Sequence, residues 1–252
     1  MYMMLENVNM KENLIINDDC LNYMKTIKDK SIDMICCDLP YGTTQNKWDC
    51  VINLNDLWEQ YNRIIKDNGV IVLTAQFMFS AKLMLSNEKD YKYSWVWKKG
   101  NKPTGFLNAK KQPLRIHEDI LVFYKNQCTY NPQMIKGAKC HSRGKSIGSD
   151  KNKSENYNSY KDFDTDGDMK YPQTIIDIPR DVEKLHPTQK PVALIEYLIK
   201  TYSNENDIIL DNCAGSFTTS IACLNTNRRY ICIEKDEKYF NIGKERIKNH
   251  QL

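Results

Sequence analysis

The sequence predicts an α/β fold, a doubly wound and mostly parallel sheet, on three observations. Short apolar runs bounded by turn residues recur at Leu14-Ile15-Ile16, Ile32 to Cys37, Val70 to Thr74, Asp207 to Asp211 and Tyr230 to Ile233. Such runs read as strands buried on both faces, the habit of parallel sheets covered by helices. Stretches of helical spacing lie between them, as in Leu57, Trp58, Tyr61, Ile64 and Ile65. Two of the runs end in polar turns of unusual composition, Asp38-Leu39-Pro40-Tyr41 and Asn212-Cys213-Ala214-Gly215-Ser216. In open α/β sheets the crevice beyond such carboxyl ends is where ligands bind.

At 252 residues and 41% apolar content the chain can bury one good-sized core. No apolar run approaches the ~20 residues that span a bilayer. Met1 to Lys11 lacks the basic start and long apolar centre of a secretory signal. The nine cysteines include no Cys-x-x-Cys and fall mostly in apolar strand or helix patterns, the usage of a reducing compartment. Cytoplasm is therefore the expected location. The net charge of +4 hides an asymmetry: from Lys98 to Lys153, thirteen Lys and Arg face Glu118, Asp119 and Asp150, a local net of +10 that leaves −6 elsewhere. A basic block is often only a solvated face. Here Trp97, Phe106, Tyr124 and Tyr130 are interleaved with it, which suits a phosphate backbone and unstacked bases.

In chain order, Leu14-Ile15-Ile16 is a short strand, Asn17-Asp18-Asp19 its turn, and Cys20 to Ile27 a helix. Asp19 can be a plain N-cap or a ligand contact. After the Asp38 to Tyr41 turn, Gly42 to Asp49 is polar and reads as a mobile loop over the site. Leu54 to Lys66 is a helix ended by Asn68-Gly69. The strand Val70 to Thr74 and the helix Met78 to Leu85 follow, then strands Tyr93 to Trp97 and Ile120 to Tyr124, separated by the basic insert Lys98 to Glu118. Asn126 to Arg180 is polar and weakly periodic, a long excursion of the kind that is usually functional or irregular. Its run Asp162 to Asp168 mimics the start of a calcium loop, but Gln173 stands where the twelfth-position acid belongs. Cys128, Cys140 and His141 have poor zinc spacing; no metal site is expected. Pro191 opens the helix Val192 to Tyr202, and Ser220 to Leu224 begins another after the Ala-Gly-Ser turn.

The chemistry follows from the turns. Asp38, the Leu39 and Pro40 carbonyls and the Tyr41 ring form a set that can hold the exocyclic amine of a flat heteroaromatic base. The acid and a carbonyl accept its two N–H hydrogens while the ring stacks on its face. Asp211 to Ser216, a strand running through small residues into a helix N-terminus, makes a cofactor cradle. Glu234, nineteen residues after Gly215 at the tip of the next strand, can accept both ribose hydroxyls. With one Gly in place of the three of a dinucleotide fingerprint, the pair suggests a nucleoside-type cofactor without a pyrophosphate.

Asp-Leu-Pro-Tyr, then His186-Pro-Thr-Gln-Lys-Pro191, then Asp211-Asn-Cys-Ala-Gly-Ser-Phe-Thr-Thr219, in that order, resemble the β-group of S-adenosylmethionine-dependent DNA amino-methyltransferases, in which Asp-Pro-Pro-Tyr precedes the cofactor loop. The likeness continues through Asn17 to Asp49, Thr104 to Ala109, Pro113 to Glu118 and Tyr171 to Asp181. It implies a Rossmann-like methyltransferase fold with a catalytic half at 1–99 and a cofactor-binding half at 183–252. The segment 100–182 would be a basic, irregular DNA-recognition region interrupted by a core strand at 119–125.

The resemblance implies S-adenosylmethionine as cofactor, held by Asp211, Asn212, Cys213, Ala214, Gly215 and Ser216 along its methionine and ribose part. Glu234 would take the ribose hydroxyls, and Asp19 and Cys20 the adenine edge. His186, Thr188, Gln189 and Lys190 would close over the methionine end, with Lys190 on its carboxylate, and Asp38 would stand beside the methyl group. The catalytic set would be Asp38, Leu39, Pro40 and Tyr41. Lys98, Lys99, Lys102, Lys110, Lys111, Arg115, Lys136, Lys139 and Arg143 are the candidates to meet DNA. Two departures stand out: Leu39 replaces a Pro, leaving a less rigid turn, and Phe217 stands where a second Gly is common, which would lower cofactor affinity if its ring intruded.

The implied reaction is methylation of adenine N6 in double-stranded DNA by base flipping and direct displacement. Cytosine N4 is the alternative target, and an RNA base or a protein amide the alternative acceptor. A catalytically silent, cofactor-sensing nucleic-acid binder is the alternative class. A bacterial or phage-encoded cytoplasmic enzyme is implied, and the group admits a homodimer and a cognate restriction endonuclease as partners. Nothing points to a membrane.

Overall fold

The computed structural model of the chain describes residues 13–42, 49–137, 168–182 and 185–251. Lys139, Arg143, Cys140, His141, the loop 43–48 and the calcium-like run up to residue 167 lie outside the described residues.

Eight strands form one sheet in the order β1-β10-β9-β2-β3-β5-β4-β8. These are β1 (Leu14–Ile16), β2 (Ile32–Cys37), β3 (Ile65–Ala75), β4 (Tyr91–Lys98), β5 (His117–Phe123), β8 (Ile175–Asp177), β9 (Ile208–Asp211) and β10 (Arg229–Ile233). The pairs from β1 through β10, β9 and β2 to β3 are parallel, and β5 runs antiparallel to both β3 and β4. The fold is the expected doubly wound α/β sheet, with one antiparallel excursion. From β2 the chain steps to β3 on one side, while β9 steps to β10 on the other. The two central strands therefore mark a topological switch point, where loops diverge and leave a crevice.

Helices cover both faces. On one lie α4 (Val192–Tyr202), α5 (Thr218–Asn225) and α6 (Glu237–His250), packed over Met34, Cys36, Val70, Val72 and Ile209. On the other lie α1 (Cys20–Met24), α2 (Leu54–Ile64) and α3 (Met78–Ser86), packed over Ile35, Cys37, Ile71, Leu73 and Leu210. Residues Met34 to Cys37 of β2 alternate between the two clusters, so both faces are core there, while Asp33 accepts the Ile208 N–H at 2.9 Å and pairs with Lys66 at 2.5 Å.

Several bounds differ from those the sequence predicts. The helix at Cys20 stops at Met24, and α2 stops at Ile64, where the chain turns directly into β3. Asn68-Gly69 therefore lies inside β3. A Cβ on Gly69 would meet the Asp33 carbonyl at 2.9 Å, so glycine is needed for close strand approach, not for a helix stop. The third helix ends at Ser86, the strand expected at 119–125 runs His117–Phe123, and α5 begins at Thr218. Edge strand β8 lies within the stretch read as irregular, and α6, capped by Asp236, has no counterpart in the sequence-based prediction.

Residues 132–173 form a compact unit separate from the rest. Its described part is an antiparallel pair, β6 (Ile135–Lys136) with β7 (Met169–Lys170), in which the Gly137 N–H donates to the Asp168 carbonyl at 2.7 Å. Lys136 is exposed on it.

Candidate active site

Ile35 of β2 pairs with Leu210 of β9, so Asp38 and Cys213, each three residues further on, emerge side by side where the strands part. A cavity of about 650 Å³ opens there, within the ~300–1,000 Å³ of small-molecule sites. It gathers Asp19, Cys20, the Asp38 to Tyr41 turn, His186 to Lys190, Asp211 to Ser216 and Glu234. All the residues predicted from sequence for catalysis and for the cofactor share that one cavity, although they come from five separate segments.

Asp38 is held from three directions. The Tyr41 hydroxyl donates to its Oδ1 at 2.7 Å, the Thr74 hydroxyl donates to the same oxygen, and Lys190 Nζ lies 2.5 Å from Oδ2. Thr74 comes from the end of β3 and was not foreseen. The Tyr41 ring packs on Phe79 at 5.0 Å between centroids, and burial pushes its phenol well above the ordinary range, so the hydroxyl stays a donor. Leu39 is 3% exposed, in the core beneath the turn with α1 and α2. Anchoring by a buried leucine thus stands in for the rigidity of the missing proline.

Lys190 does not wait in solvent for a carboxylate. It is buried between Asp38 and Glu118, 3.2 Å from Glu118 Oε2. Burial alone would lower its pKa, but these two acids outweigh it and hold the ammonium above its usual value. Lys99 pairs with the other oxygen of Glu118. Lys99 is 4% exposed, so its expected place among the DNA-facing lysines is corrected: its charge is used internally, because a buried ammonium needs a counter-ion.

The cradle that the sequence predicts for a cofactor is built from β9, α5 and β10. Asp211 ends β9, buried, accepting the Cys213 N–H at 3.2 Å and the Thr219 hydroxyl at 2.5 Å. Burial dominates these bonds and pushes its carboxyl up to about 6. Gly215, at φ 52°, donates its N–H to Glu234 Oε2 at 2.7 Å, and the Asp236 N–H donates to Oε1 at 2.8 Å. Both oxygens keep a second lone pair for hydroxyl donors. Asp19 caps α1 through the Leu21 and Asn22 N–H groups and pairs with Lys235 at 3.0 Å, so it is a cap and a cavity wall at once. His186 stacks edge-on to Tyr239 at 4.1 Å, with its pKa lowered by burial, beside the Gly215 backbone. Gln189 accepts from the Ser216 hydroxyl at 3.0 Å, tying the two loops together.

Phe217 does not enter the cavity. It sits at φ 58°, the left-handed region that explains why glycine suits this position, and its fully buried ring packs against Phe240 at 5.8 Å. A Cβ on Gly243 would fall 1.7 Å from that ring, so α6 carries a glycine to admit it. The loop keeps its approach to the cavity, contrary to what the phenylalanine suggests in the sequence.

Among the remaining basic candidates, Lys98 pairs with Asp177 at 2.5 Å, while Lys102, Lys110 and Lys111 are exposed. Arg115 lines the cavity, bonds Gln76 Oε1 at 3.3 Å and lies over the Phe77 ring at 5.1 Å. The Thr104–Arg115 bridge closes a loop whose tip leaves Phe106 65% and Leu107 101% exposed. Among the described residues no helix is long and apolar enough to cross a membrane, and no group of three His, Cys, Asp or Glu could hold a metal.

Comparison with known proteins agrees with this geometry. Residues 32–245 match the N6/N4 methylase family model described as DNA methylase. The chain is 30% identical over 252 residues to DNA adenine methyltransferase YhdJ of Escherichia coli (strain K12), covering 92% of this chain and 82% of that one. It is 27% identical to Type II methyltransferase M.HinfI of Haemophilus influenzae, over 98% of this chain and 71% of the relative. The crystal structure of the M1.HpyAVI–SAM complex superposes with a TM-score of 0.63 at 25% identity, covering 93% of this chain and 98% of that one. The cytosine-N4-specific PvuII DNA methyltransferase shares the fold alone, at 14% identity and a TM-score of 0.63, over 95% of this chain and 94% of that one. The paired carboxylates Asp211 and Glu234, the backbone cradle at Gly215 and a cavity of sufficient volume fit S-adenosylmethionine. The chain belongs to the N6/N4 DNA methylase family and is an S-adenosylmethionine-dependent DNA methyltransferase.

Proposed function

We propose that this enzyme methylates the exocyclic N6 of adenine in double-stranded DNA, with the target base rotated out of the duplex into the cavity. The observation that carries the reading is Asp38: an acceptor at a sheet switch point, oriented by two hydroxyls and a lysine, in one cavity with the cofactor cradle. S-adenosylmethionine supplies an electrophilic methyl group on a sulfonium. Asp211, Gly215 and Glu234 would hold its amino-acid and ribose parts, and Asp19 and Cys20 its base edge.

The protein's part is positioning. The amino nitrogen is engaged in pairing within a duplex, and extruding the base costs a few kcal/mol. Once inside, the amine replaces a hydroxyl on Asp38 Oδ1, donates its other hydrogen to the Leu39 or Pro40 carbonyl, and the base rests on Tyr41. Both contacts localise the nitrogen lone pair and aim it at the methyl carbon. The amine nitrogen would take the methyl group as the donor departs as a neutral thioether, and the proton it then sheds would pass to solvent water. Lys190 fixes the acid in place through its ion pair with Oδ2. No covalent enzyme intermediate is needed, and burial suits this: it raises the Cys36 thiol well above its usual range and Cys37 to about 12, poor nucleophiles both.

Support for adenine over cytosine comes from the Asp at the head of the tetrad and from the adenine-directed YhdJ relative. The exposed loop carrying Phe106, Leu107, Lys110 and Lys111 supports DNA as the partner: its base at Thr104 and Arg115 lines the cavity while its basic, apolar tip faces outward. Incubating duplex DNA with enzyme and labelled cofactor, then digesting to nucleosides, tests the reading by mass. N6-methyldeoxyadenosine is expected; N4-methyldeoxycytidine, or no methylated base, would overturn it.

A further inference from the structure

Behind Asp38 stand three buried charges that the displacement does not use directly. Lys190 is 7%, Glu118 8% and Lys99 4% exposed, and they alternate in sign: Asp38 with Lys190, Lys190 with Glu118, Glu118 with Lys99. The segments that bring them are far apart. Glu118 faces in from β5, opposite Trp97 in the ladder, Lys99 follows β4 directly, and Lys190 precedes α4. Two negative and two positive groups make the row neutral. Burial would raise the Glu118 carboxyl, but Lys190 and Lys99 outweigh it and keep it ionised. The whole cavity wall is acidic, with Asp19, Asp38, Asp49, Glu118, Asp211, Glu234 and Asp236 against Lys99, Arg115, Arg180, Lys190 and Lys235, seven against five, a net of −2.

The cofactor enters this cavity as a sulfonium cation and leaves as a neutral thioether. The two differ by one charge, so the wall's electrostatics bear on one and not on the other. We propose that Glu118 is a positioning residue that orients Asp38 through Lys190 and, balanced by Lys99, sets the charge by which the cavity favours the sulfonium donor over the spent thioether. This rests on the methyltransferase reading. A purely structural role for the same ion pairs would weaken donor and product alike, since the two have nearly the same shape. Substituting Glu118 by Gln keeps the side-chain volume but takes the wall from −2 to −1. Substituting Lys99 by Met takes it to −3, and the double change restores −2.

The test is calorimetric titration of the purified full chain and its variants with S-adenosylmethionine and with S-adenosylhomocysteine, in one buffer. One unit charge across about 10 Å at an effective dielectric of about 20 is worth roughly a tenfold change in affinity. Glu118→Gln is therefore expected to weaken the donor about tenfold more than the product. Lys99→Met is expected to change the ratio in the opposite sense, and the double variant to return it near wild type. Equal shifts for donor and product in either single variant, or a double variant that fails to restore the ratio, would overturn the proposal. Should Glu118→Gln fail to fold, Lys99→Met still decides by the sign of its effect. A wild-type chain that binds neither compound would instead overturn the methyltransferase reading.

Discussion

Replacing Asp211 by Asn separates two demands on the cofactor cradle, that of the fold and that of the ligand. Asp211 is 5% exposed at the end of β9, and burial lifts its carboxyl from the ordinary 3.8 to about 6. A folded-state pKa raised above the unfolded one means that the native state binds more protons between those values. Its stability is then full below about pH 4 and falls as pH rises through 6. The interval from 3.8 to about 6, at 1.36 kcal/mol per pH unit, amounts to about 3 kcal/mol lost at neutral pH. Asn carries no charge and escapes this loss, but it accepts less well from Thr219 and from the Cys213 N–H, which costs about 1 kcal/mol. Asp211→Asn should therefore be about 2 kcal/mol more stable than wild type at pH 7 and slightly less stable at pH 4. Urea unfolding at intervals from pH 4 to 7 gives the difference between the two proteins directly, cancelling the other carboxylates. The same variant should bind S-adenosylmethionine more weakly at pH 7, because the anion held at a stability cost is the one proposed to meet the cationic ligand. A difference curve that stays flat across pH 4 to 7 would refute the electrostatic account of this residue.

Other outcomes follow from the same geometry. Asp38→Ala should still bind the cofactor by calorimetry, about tenfold more weakly for the lost wall charge, while methyl transfer at saturating cofactor falls by at least about 10²-fold, the usual cost of removing an aligned transition-state acceptor; near-normal turnover would remove Asp38 from the mechanism. Gly243→Ala puts a Cβ 1.7 Å from the Phe217 ring. It should destabilise the fold by about 1–3 kcal/mol in urea, with partial recovery when combined with Phe217→Leu. Phe106→Ala with Leu107→Ala should slow methylation of a matched duplex more than of one with a mismatch opposite the target, if the apolar tip helps open the pair; equal slowing would rule that out. Lys110→Ala with Lys111→Ala should weaken DNA binding in gel-shift titrations and flatten its salt dependence by about 0.9 in slope per lost phosphate contact.

The parts legible in the sequence are those whose cause is local. Met34 to Cys37 of β2 and Ile208 to Leu210 of β9 are buried on both faces, so they read as short apolar runs, and the turns beyond them have compositions that few structural roles explain. That sufficed to bring Asp38 and the Asp211 to Ser216 loop into one crevice. The missed elements lack that kind of signal. β8 is three residues long with Ile175 and Asp177 exposed, and among the described residues it pairs with β4; an apolar pair that short, inside a polar segment, carries too little pattern to mark a strand. α6 did carry a signal, the Asp236 cap followed by Phe240, Gly243 and Ile247 on one face, but its mean polarity hides the stripe. Lys99 was unreadable for another reason. It sits among surface lysines in sequence, and only the β4–β5 ladder brings it to Glu118, which in turn meets Lys190 from a segment more than seventy residues later.

Phe217 shows how a departure in a motif is absorbed by distant structure. A non-glycine residue in the left-handed region costs about 1–2 kcal/mol, which at this position would ordinarily select glycine. Full burial of a phenylalanine side chain contributes about 1.5–3 kcal/mol, enough to offset that strain provided a pocket exists. The pocket is made by Gly243, twenty-six residues on, where α6 crosses behind the loop. Because the ring leaves on the core side, the Gly215 N–H still reaches Glu234 and the Ser216 hydroxyl still reaches Gln189, and both contacts face the cavity. Arg246, one turn beyond Gly243, donates to the Ser216 carbonyl at 3.0 Å and to the Thr218 hydroxyl at 3.0 Å. The helix that accommodates the substituted residue therefore also fixes the backbone on either side of it, so the loop proposed to hold the cofactor is shaped from behind rather than by a second glycine of its own.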